Sequence, residues 1–154
     1  RRRSHADGSR KPRSTRRYTR MKQLMLDTNT VSHLLKGHPG VIKNLSAVPM
    51  TSVCISSITE AELLYGLAKR PSAQRLAGLV TAFLKTIDIL PWGSQAAQAY
   101  GSSRATGESR GHCLGALDGL IAAHSLSLGM TLVTSDKAFR LVEGLEVQDW
   151  CEVA

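Results

Sequence analysis

Residues 22–37 read KQLMLDTNTVSHLLKG, and this stretch decides how the chain folds. The apolar residues 24–26 predict a short buried strand, which ends at Asp27. The next nine residues predict a helix, which Gly37 and Pro39 end. Asp, Thr and Asn side chains accept hydrogen bonds from the free amides of a helix start, so helix capping is the first explanation for Asp27. The rest of the sequence decides whether this carboxylate also does chemistry.

Short strand patterns alternate with helical patterns along the rest of the chain. Further strands are predicted at SVCISS (52–57), IDIL (87–90), MTLVTSD (130–136) and, at the end, LEVQDW (145–150). Helices are predicted at GVIKNLSAV (40–48), ITEAELLYGLAKR (58–70), PSAQRLAGLVTAFLKT (71–86), SQAAQAYGSSRATGE (94–108, weakened at Gly101 and Gly107) and LGALDGLIAAHSLSLG (114–129). Strands this short that are separated by helices predict an α/β fold with a parallel sheet and helices on both faces.

The net charge of +8 comes from the first twenty residues. Residues 1–20 hold nine of the twenty Lys and Arg residues and a single acid, Asp7, which leaves residues 21–154 neutral. This segment has almost no apolar residues, so we expect a disordered basic tail that is an RNA-binding arm, a targeting peptide, or sequence upstream of a natural start at Met21. We expect residues 21–154 to form one domain, and the charge of the tail does not indicate the function of that domain.

The cysteine pattern and the hydropathy restrict the cellular location. Cys54, Cys113 and Cys151 are odd in number and widely spaced, a pattern typical of a reducing compartment without a thiolate metal site. No apolar run approaches the ~20 residues that span a bilayer. We therefore expect a cytoplasmic protein that does not enter a membrane.

Four acids occupy positions that a purely structural role explains poorly. Asp27 and Asp136 follow strands, and ligands bind parallel sheets outside the carboxyl ends of their strands. Asp118 opens an apolar helix, where N-terminal capping is the competing explanation. Glu62 shares one predicted helix face with Ile58, Ala61, Tyr65 and Ala68, and an acid on a buried face costs several kcal/mol, roughly, unless it is paired or binds a metal.

Together, these four acids predict a metal-dependent hydrolase. Carboxylates that lie close together raise one another's pKa, and a divalent cation removes the repulsion. Oxygen ligands at a site with room for water suit Mg²⁺ or Mn²⁺, which can generate hydroxide from water and stabilise the leaving oxygen of a phosphodiester. Thr134 and Ser135, beside Asp136, are expected to orient water or substrate through their hydroxyl groups. The cations expected to contact phosphate are Arg104, Arg110, Lys137 and Arg140.

Four blocks of the sequence resemble the PIN-domain ribonucleases, specifically the VapC toxins of bacterial toxin–antitoxin modules. In order they are MLDTNTVSHLLKG, CISSITEAELLYG, LDGLIAAHSLSLGMTLVTSDKAF and GLEVQDW, and they extend from about Met21 to Trp150. The four acids of that family fall on Asp27, Glu62, Asp118 and Asp136. The first twenty residues have no counterpart in the family.

The resemblance implies a three-layer α/β/α sandwich with a short central parallel sheet. It also implies a Mg²⁺- or Mn²⁺-dependent endoribonuclease whose metal is held by the four acids, with Asp27 and Asp118 as the main ligands. The implied partners are a second copy of the chain in a homodimer, a VapB-type antitoxin that occludes the site, and an RNA substrate. That substrate is expected to be a tRNA, with the anticodon region of the initiator tRNA as the first candidate.

Two other functions compete with this interpretation. A PIN-like adaptor that binds RNA or protein without cleaving would have no reason to retain buried acids. A phosphatase of the haloacid-dehalogenase type also begins with a hydrophobic strand followed by DxDxT, but Asn29 stands where that mechanism needs its second Asp. The nuclease is therefore the preferred prediction, and the adaptor is its alternative.

Overall fold

A five-stranded sheet forms the centre of the computed structural model, which describes residues 23–152. The strands are β1 (Leu24–Leu26), β2 (Val53–Ser56), β3 (Asp88–Leu90), β4 (Thr131–Val133) and β5 (Val147–Gln148). The helices are α1 (Thr28–Leu35), α2 (Pro39–Ser46), α3 (Ser57–Ala68), α4 (Gln74–Thr86), α5 (Ser94–Ser109) and α6 (Ala116–Ser127). Short 3₁₀ turns span Met50–Ser52 and Lys137–Leu141. The predictions for the basic tail lie outside the described residues.

The strand order is β3-β2-β1-β4-β5, and every neighbouring pair is parallel. In the central three strands, Leu26 pairs with Ile55 on one side and with Val133 on the other. The carboxyl ends of β1, β2 and β4 therefore stop at the same level. The segments that follow them form one rim of the sheet.

Side chains of β1 alternate between two hydrophobic cores, one on each face of the sheet. Leu24 and Leu26 pack with residues of α1 to α4, among them Leu63 and Phe83. Met25 packs on the other face with the cluster that includes Ile121 of α6. Because helices cover both faces, the sheet is the middle layer of three, which confirms the predicted α/β/α sandwich.

Two helix predictions differ from the structure in detail. Helix α4 begins at Gln74 rather than at Pro71, because residues 70–73 form a turn in which the amide of Ala73 donates to the carbonyl of Arg70 at 3.0 Å. Helix α5 runs through both of its internal glycines to Ser109. A side chain at Gly107 would lie 2.7 Å from the carbonyl oxygen of His112, so this glycine permits the tight turn after the helix. Among the described helices, none is long and apolar enough to span a membrane.

Candidate active site

Two hydrogen bonds join the rim segments after β1 and β4. The amide of Asp27 donates to the carbonyl of Val133 at 3.1 Å, and the hydroxyl of Thr30 donates to the same oxygen at 2.9 Å. Asp27 and Thr30 are both almost completely buried. The segment that carries Asp27 is therefore fixed relative to the segment that carries Asp136.

Asp27 is the N-cap of α1. Its Oδ1 atom accepts a hydrogen bond from the amide of Thr30 at 2.8 Å, and the residue is only 2% exposed. The expected capping role is therefore real. A carboxylate has two oxygens with several lone pairs, so this hydrogen bond restrains Asp27 without using up its capacity to bind a cation.

Asp118 is the electrostatic centre of the site. It is the third residue of α6, and the N-cap position belongs to Gly115, so the capping role considered for Asp118 is wrong. Burial raises the pKa of the Asp118 carboxyl, and the negative charges of Glu62, Asp136 and Asp27 raise it further, in that order. All four predicted acids are therefore close enough to interact through their charges.

Topology explains how Asp118 reaches the rim. Helix α6 precedes β4 and runs back along the sheet, so its first turn lies at the carboxyl ends of the strands. Side chains in that turn consequently lie at the same rim as the residues that come directly after β1 and β4.

Glu62 reaches the site by a different helix face from the one predicted. The predicted buried stripe is not the core face of α3, because Tyr65 is 64% exposed and Ala61 and Ala68 are exposed as well. The buried residues of this helix are Thr59 and Leu63. Glu62 itself is half-buried at the edge of the core, where its carboxylate can face the other acids.

Thr28 restrains Glu62. The Thr28 hydroxyl donates to Oε1 of Glu62 at 2.7 Å, and its oxygen lies 3.3 Å from the hydroxyl of Thr59. Because Thr28 directly follows Asp27, this contact links the first acid of the site to the second. No pattern in the sequence predicts the contact between Thr28 and Glu62, although Thr28 is next to Asp27.

Asp136 caps the 3₁₀ turn that follows β4. Its Oδ1 atom accepts from the amide of Ala138 at 2.9 Å, while its own amide donates to the hydroxyl of Thr134 at 3.1 Å. Thr134 is 1% exposed, so its hydroxyl shapes the turn that carries Asp136. Ser135 is half-buried near Cys151, whose thiol pKa is raised mainly by burial and lowered by the Ser135 hydroxyl. A role for either hydroxyl toward water or substrate stays a prediction.

The donor set suits a hard cation, although the side chains do not form a closed cage. Within residues 23–152, no three His, Cys, Asp or Glu side chains are grouped closely enough to hold a metal together. Mg²⁺ usually binds through one or two carboxylates and keeps several waters, so it does not require such a cage. Asp118, whose charge is disfavoured by burial and by three other acids, and two carboxylates fixed by capping are thus compatible with an open site for a hard divalent cation.

Two contacts between the helices that carry Glu62 and Asp118 were not predicted. Ser56 caps α3, and its hydroxyl lies 2.8 Å from Nδ1 of His124 in α6. Trp92 donates through its indole N–H to the carbonyl of Leu120 in α6 at 2.9 Å, and through its amide to the hydroxyl of Ser57 in α3 at 3.1 Å. These contacts fix the two helices relative to each other.

Most of the cations expected to contact phosphate have acidic partners at the surface. The pairs are Arg104 with Glu108 at 2.9 Å, Arg110 with Glu143 at 3.2 Å and Arg140 with Glu152 at 3.7 Å. Their contact with phosphate stays a prediction.

The sequence of residues 24–145 matches the family model of the PIN domain. The chain belongs to the PIN-domain family. Within it, the chain is 35% identical over 132 residues to the tRNA(fMet)-specific endonuclease VapC of Salmonella typhimurium, a match that covers 85% of this chain and 100% of the relative. It is 34% identical over 131 residues to the ribonuclease VapC2 of Haemophilus influenzae, covering 84% of this chain and 99% of the relative.

Solved structures of PIN-domain proteins have the same fold. The DNA-bound VapBC structure from Salmonella typhimurium superposes with a TM-score of 0.79 at 34% identity, covering 84% of this chain and 99% of that chain. VapBC2 from Rickettsia felis, bound to a promoter DNA fragment, gives a TM-score of 0.77 at 31% identity, covering 82% and 98%. The predicted family, fold and class of enzyme, a VapC-type ribonuclease, are therefore confirmed.

Proposed function

We propose that this protein is a divalent-cation-dependent endoribonuclease that acts as the toxin of a toxin–antitoxin pair and cleaves a tRNA. One observation supports the mechanism above all others, namely that the pKa of the Asp118 carboxyl is raised by its burial and further by the charges of Glu62, Asp136 and Asp27. The charge of Asp118 is therefore disfavoured by its surroundings and by acids from three other segments, and a bound Mg²⁺ or Mn²⁺ would remove that cost.

Asp27 and Asp118 are the main ligands in this proposal, and Glu62 and Asp136 complete the negative charge of the site. When bound, the cation supplies a water of lowered pKa and stabilises negative charge on the leaving oxygen. Asp27 and Asp136 are oriented by their capping bonds, and Glu62 is oriented by Thr28. With a cation bound, these residues would orient an attacking water toward the scissile phosphate, and no nucleophilic side chain is needed.

The choice of substrate and partners is supported by the relatives. The Salmonella typhimurium relative is named a tRNA(fMet)-specific endonuclease, and we take initiator tRNA as the first substrate to test. The solved neighbours are VapBC complexes, so a VapB-type antitoxin is the proposed partner. The homodimer is proposed only from the resemblance to the VapC toxins. The exposed Leu64 and Tyr65 of α3 offer apolar surface for such contacts. Because tRNA is its substrate, we place the protein in the cytoplasm.

Cleavage of purified tRNA, with the new ends mapped by sequencing, tests the proposal. We expect a discrete cut in Mg²⁺ or Mn²⁺ and no cut in excess EDTA. The matched pair of variants is Glu62→Gln and Glu60→Gln, since Glu60 lies in the same helix but is not among the acids whose charges raise the pKa of Asp118. Glu62→Gln should lose cleavage and Glu60→Gln should keep it. Cleavage that persists in EDTA, or in Asp27→Asn, contradicts the mechanism, and metal-independent RNA binding without cleavage favours the adaptor.

A further inference from the structure

A cavity of about 360 Å³ lies between α5, α6 and the 3₁₀ turn Lys137–Leu141, and we name it the side cavity. Gly115, Ala116 and Gly119 line it and flank Asp118 in the sequence. Ala138, whose amide donates to Asp136, lines it as well. The side cavity is therefore directly next to two of the four acids.

The lining of the side cavity combines an aromatic ring, aliphatic side chains and hydrogen-bonding groups. Tyr100 of α5 lines it and packs edge-on against Trp92, with ring centroids 6.5 Å apart. The apolar lining residues are Leu114, Leu126, Leu141 and Val142. The polar lining residues include Ser102, Ser103, Thr106, Arg104 and Arg110.

The charges of the side cavity cancel. Arg104 pairs with Glu108 and Arg110 pairs with Glu143, and all four residues belong to the lining. This balance disfavours a free anion or a cation as the occupant. It suits a neutral, flat group that has apolar faces and a hydrogen-bonding edge.

A nucleobase is such a group. Proteins that recognise single-stranded RNA stack unstacked bases on aromatic side chains or guanidinium planes and bind their edges through hydrogen bonds. The volume is within the range of about 300–1,000 Å³ that is usual for small-ligand sites. An RNA held with one phosphodiester at the acids has its neighbouring nucleotides within reach of this space.

We propose that the side cavity binds one unstacked nucleobase of the RNA, adjacent to the scissile phosphodiester, and so contributes to the choice of cleavage position. This inference rests on the proposed nuclease function. The acids carry out the chemistry, and the cavity between α5 and α6 selects the nucleotide that lies beside them.

The test compares Ser103→Trp with Ala105→Trp, two substitutions in the same helix. Ser103 lines the cavity, whereas Ala105 is exposed and lies outside the lining. Binding of fluorescein-labelled oligo(A), oligo(C), oligo(G) and oligo(U) is measured by anisotropy in EDTA, so that no cleavage is needed. Wild-type protein should prefer one base, and Ser103→Trp should weaken that binding about 10-fold or more. Ala105→Trp should change it by less than about two-fold.

A second measurement does not depend on how the Trp variant folds. An oligonucleotide of the preferred sequence with its bases replaced by abasic sites should bind the wild-type protein about 10-fold more weakly than the parent. Equal binding of all oligonucleotides, the abasic one included, by wild type and both variants overturns the inference. If Ser103→Trp impairs binding but no metal-dependent cleavage occurs, the nuclease proposal fails, and with it the role of the cavity in choosing a cleavage position, so that only base binding by the cavity is supported. If cleavage occurs and is the same in both variants, the base site fails and the nuclease stands.

Discussion

Replacing Thr28 by Val tests whether Glu62 works as an oriented member of the site. The change removes the hydroxyl that donates to Glu62 Oε1 at 2.7 Å and leaves the shape of the side chain nearly unchanged. We expect cleavage to fall about 10- to 100-fold, because partners that orient a metal ligand typically change metal affinity or activity by that factor. This loss corresponds to about 1.4–2.7 kcal/mol of transition-state stabilisation.

The effect on folding should be smaller than the effect on cleavage. A hydrogen bond to a charged group contributes about 1.5–3 kcal/mol, but Thr28 and Glu62 are half-buried, so water replaces part of the lost contact. We expect the free energy of unfolding in EDTA to fall by about 1 kcal/mol, read from urea denaturation. If Thr28→Val unfolds at nearly the wild-type free energy in EDTA but cleaves much more slowly, the loss of activity comes from the orientation of Glu62 and not from a less stable fold.

Thr131→Val is the matched control, because Thr131 also faces a glutamate. Its hydroxyl lies 3.5 Å from Oε2 of Glu146, at the start of β4 and thus at the opposite edge of the sheet. The assay is kcat/KM for tRNA cleavage over a series of Mn²⁺ concentrations. If Thr28→Val cleaves as fast as Thr131→Val at every Mn²⁺ concentration, the reasoning about Glu62 is wrong.

Three further predictions follow from the same geometry. Asp118→Asn should abolish cleavage and raise the Tm in EDTA at pH 7 by about 2 °C, because it removes a charge that burial and, further, three neighbouring acids disfavour. Since the pKa of Asp118 is raised in the folded state, this gain should shrink as the pH falls through that pKa, and a gain that grows instead refutes the assignment. Mn²⁺ at about a hundred times its Kd should stabilise the wild type by about 2.7 kcal/mol in urea denaturation, whereas Asp27→Asn should show little stabilisation. Burial lowers the pKa of His124 in the folded protein. The neutral imidazole therefore contributes to stability above its unfolded pKa of about 6.5, and this contribution is lost as the pH falls. Between about pH 7 and pH 5, the free energy of unfolding should fall less for His124→Gln than for the wild type.

The sequence was sufficient to place the acids that lie next to regular strands. Asp27 and Asp136 follow β1 and β4, and the carboxyl ends of parallel strands must meet at one edge of the sheet. Asp118 could be added because a helix that returns along the sheet begins at that same edge. These three positions follow from topology and do not depend on side-chain detail.

The face of Glu62 could not be predicted, because α3 is apolar nearly all round. Leu63, Leu64, Tyr65 and Leu67 follow Glu62 closely, so a 3.6-residue period can be drawn through more than one face. Packing decides between them, since Leu63 enters the core cluster and Tyr65 does not. The periodicity of the sequence does not show which face of the helix packs against the core.

The contacts that align the helices are even less visible in the sequence. Trp92 and Leu120 are 28 residues apart, and Ser56 and His124 are 68 residues apart. Neither pair belongs to a local motif. The side cavity has the same origin, because it exists only where α5, α6 and the turn after β4 come together.

In the proposed mechanism, helix capping and metal binding are complementary roles for the acids of this site. Asp27 and Asp136 each fix one oxygen with a backbone amide, so the backbone determines where these two charges lie. Among the described residues, no backbone amide donates to Glu62 or Asp118, and a threonine hydroxyl restrains only the first of them. The site thus contains two acids fixed by backbone amides, one restrained by a side chain, and Asp118, which can adjust to a cation. Loss of a fixed acid should therefore remove the site, whereas loss of Thr28 should weaken it, and this difference distinguishes an oriented metal site from a mere accumulation of surface charge.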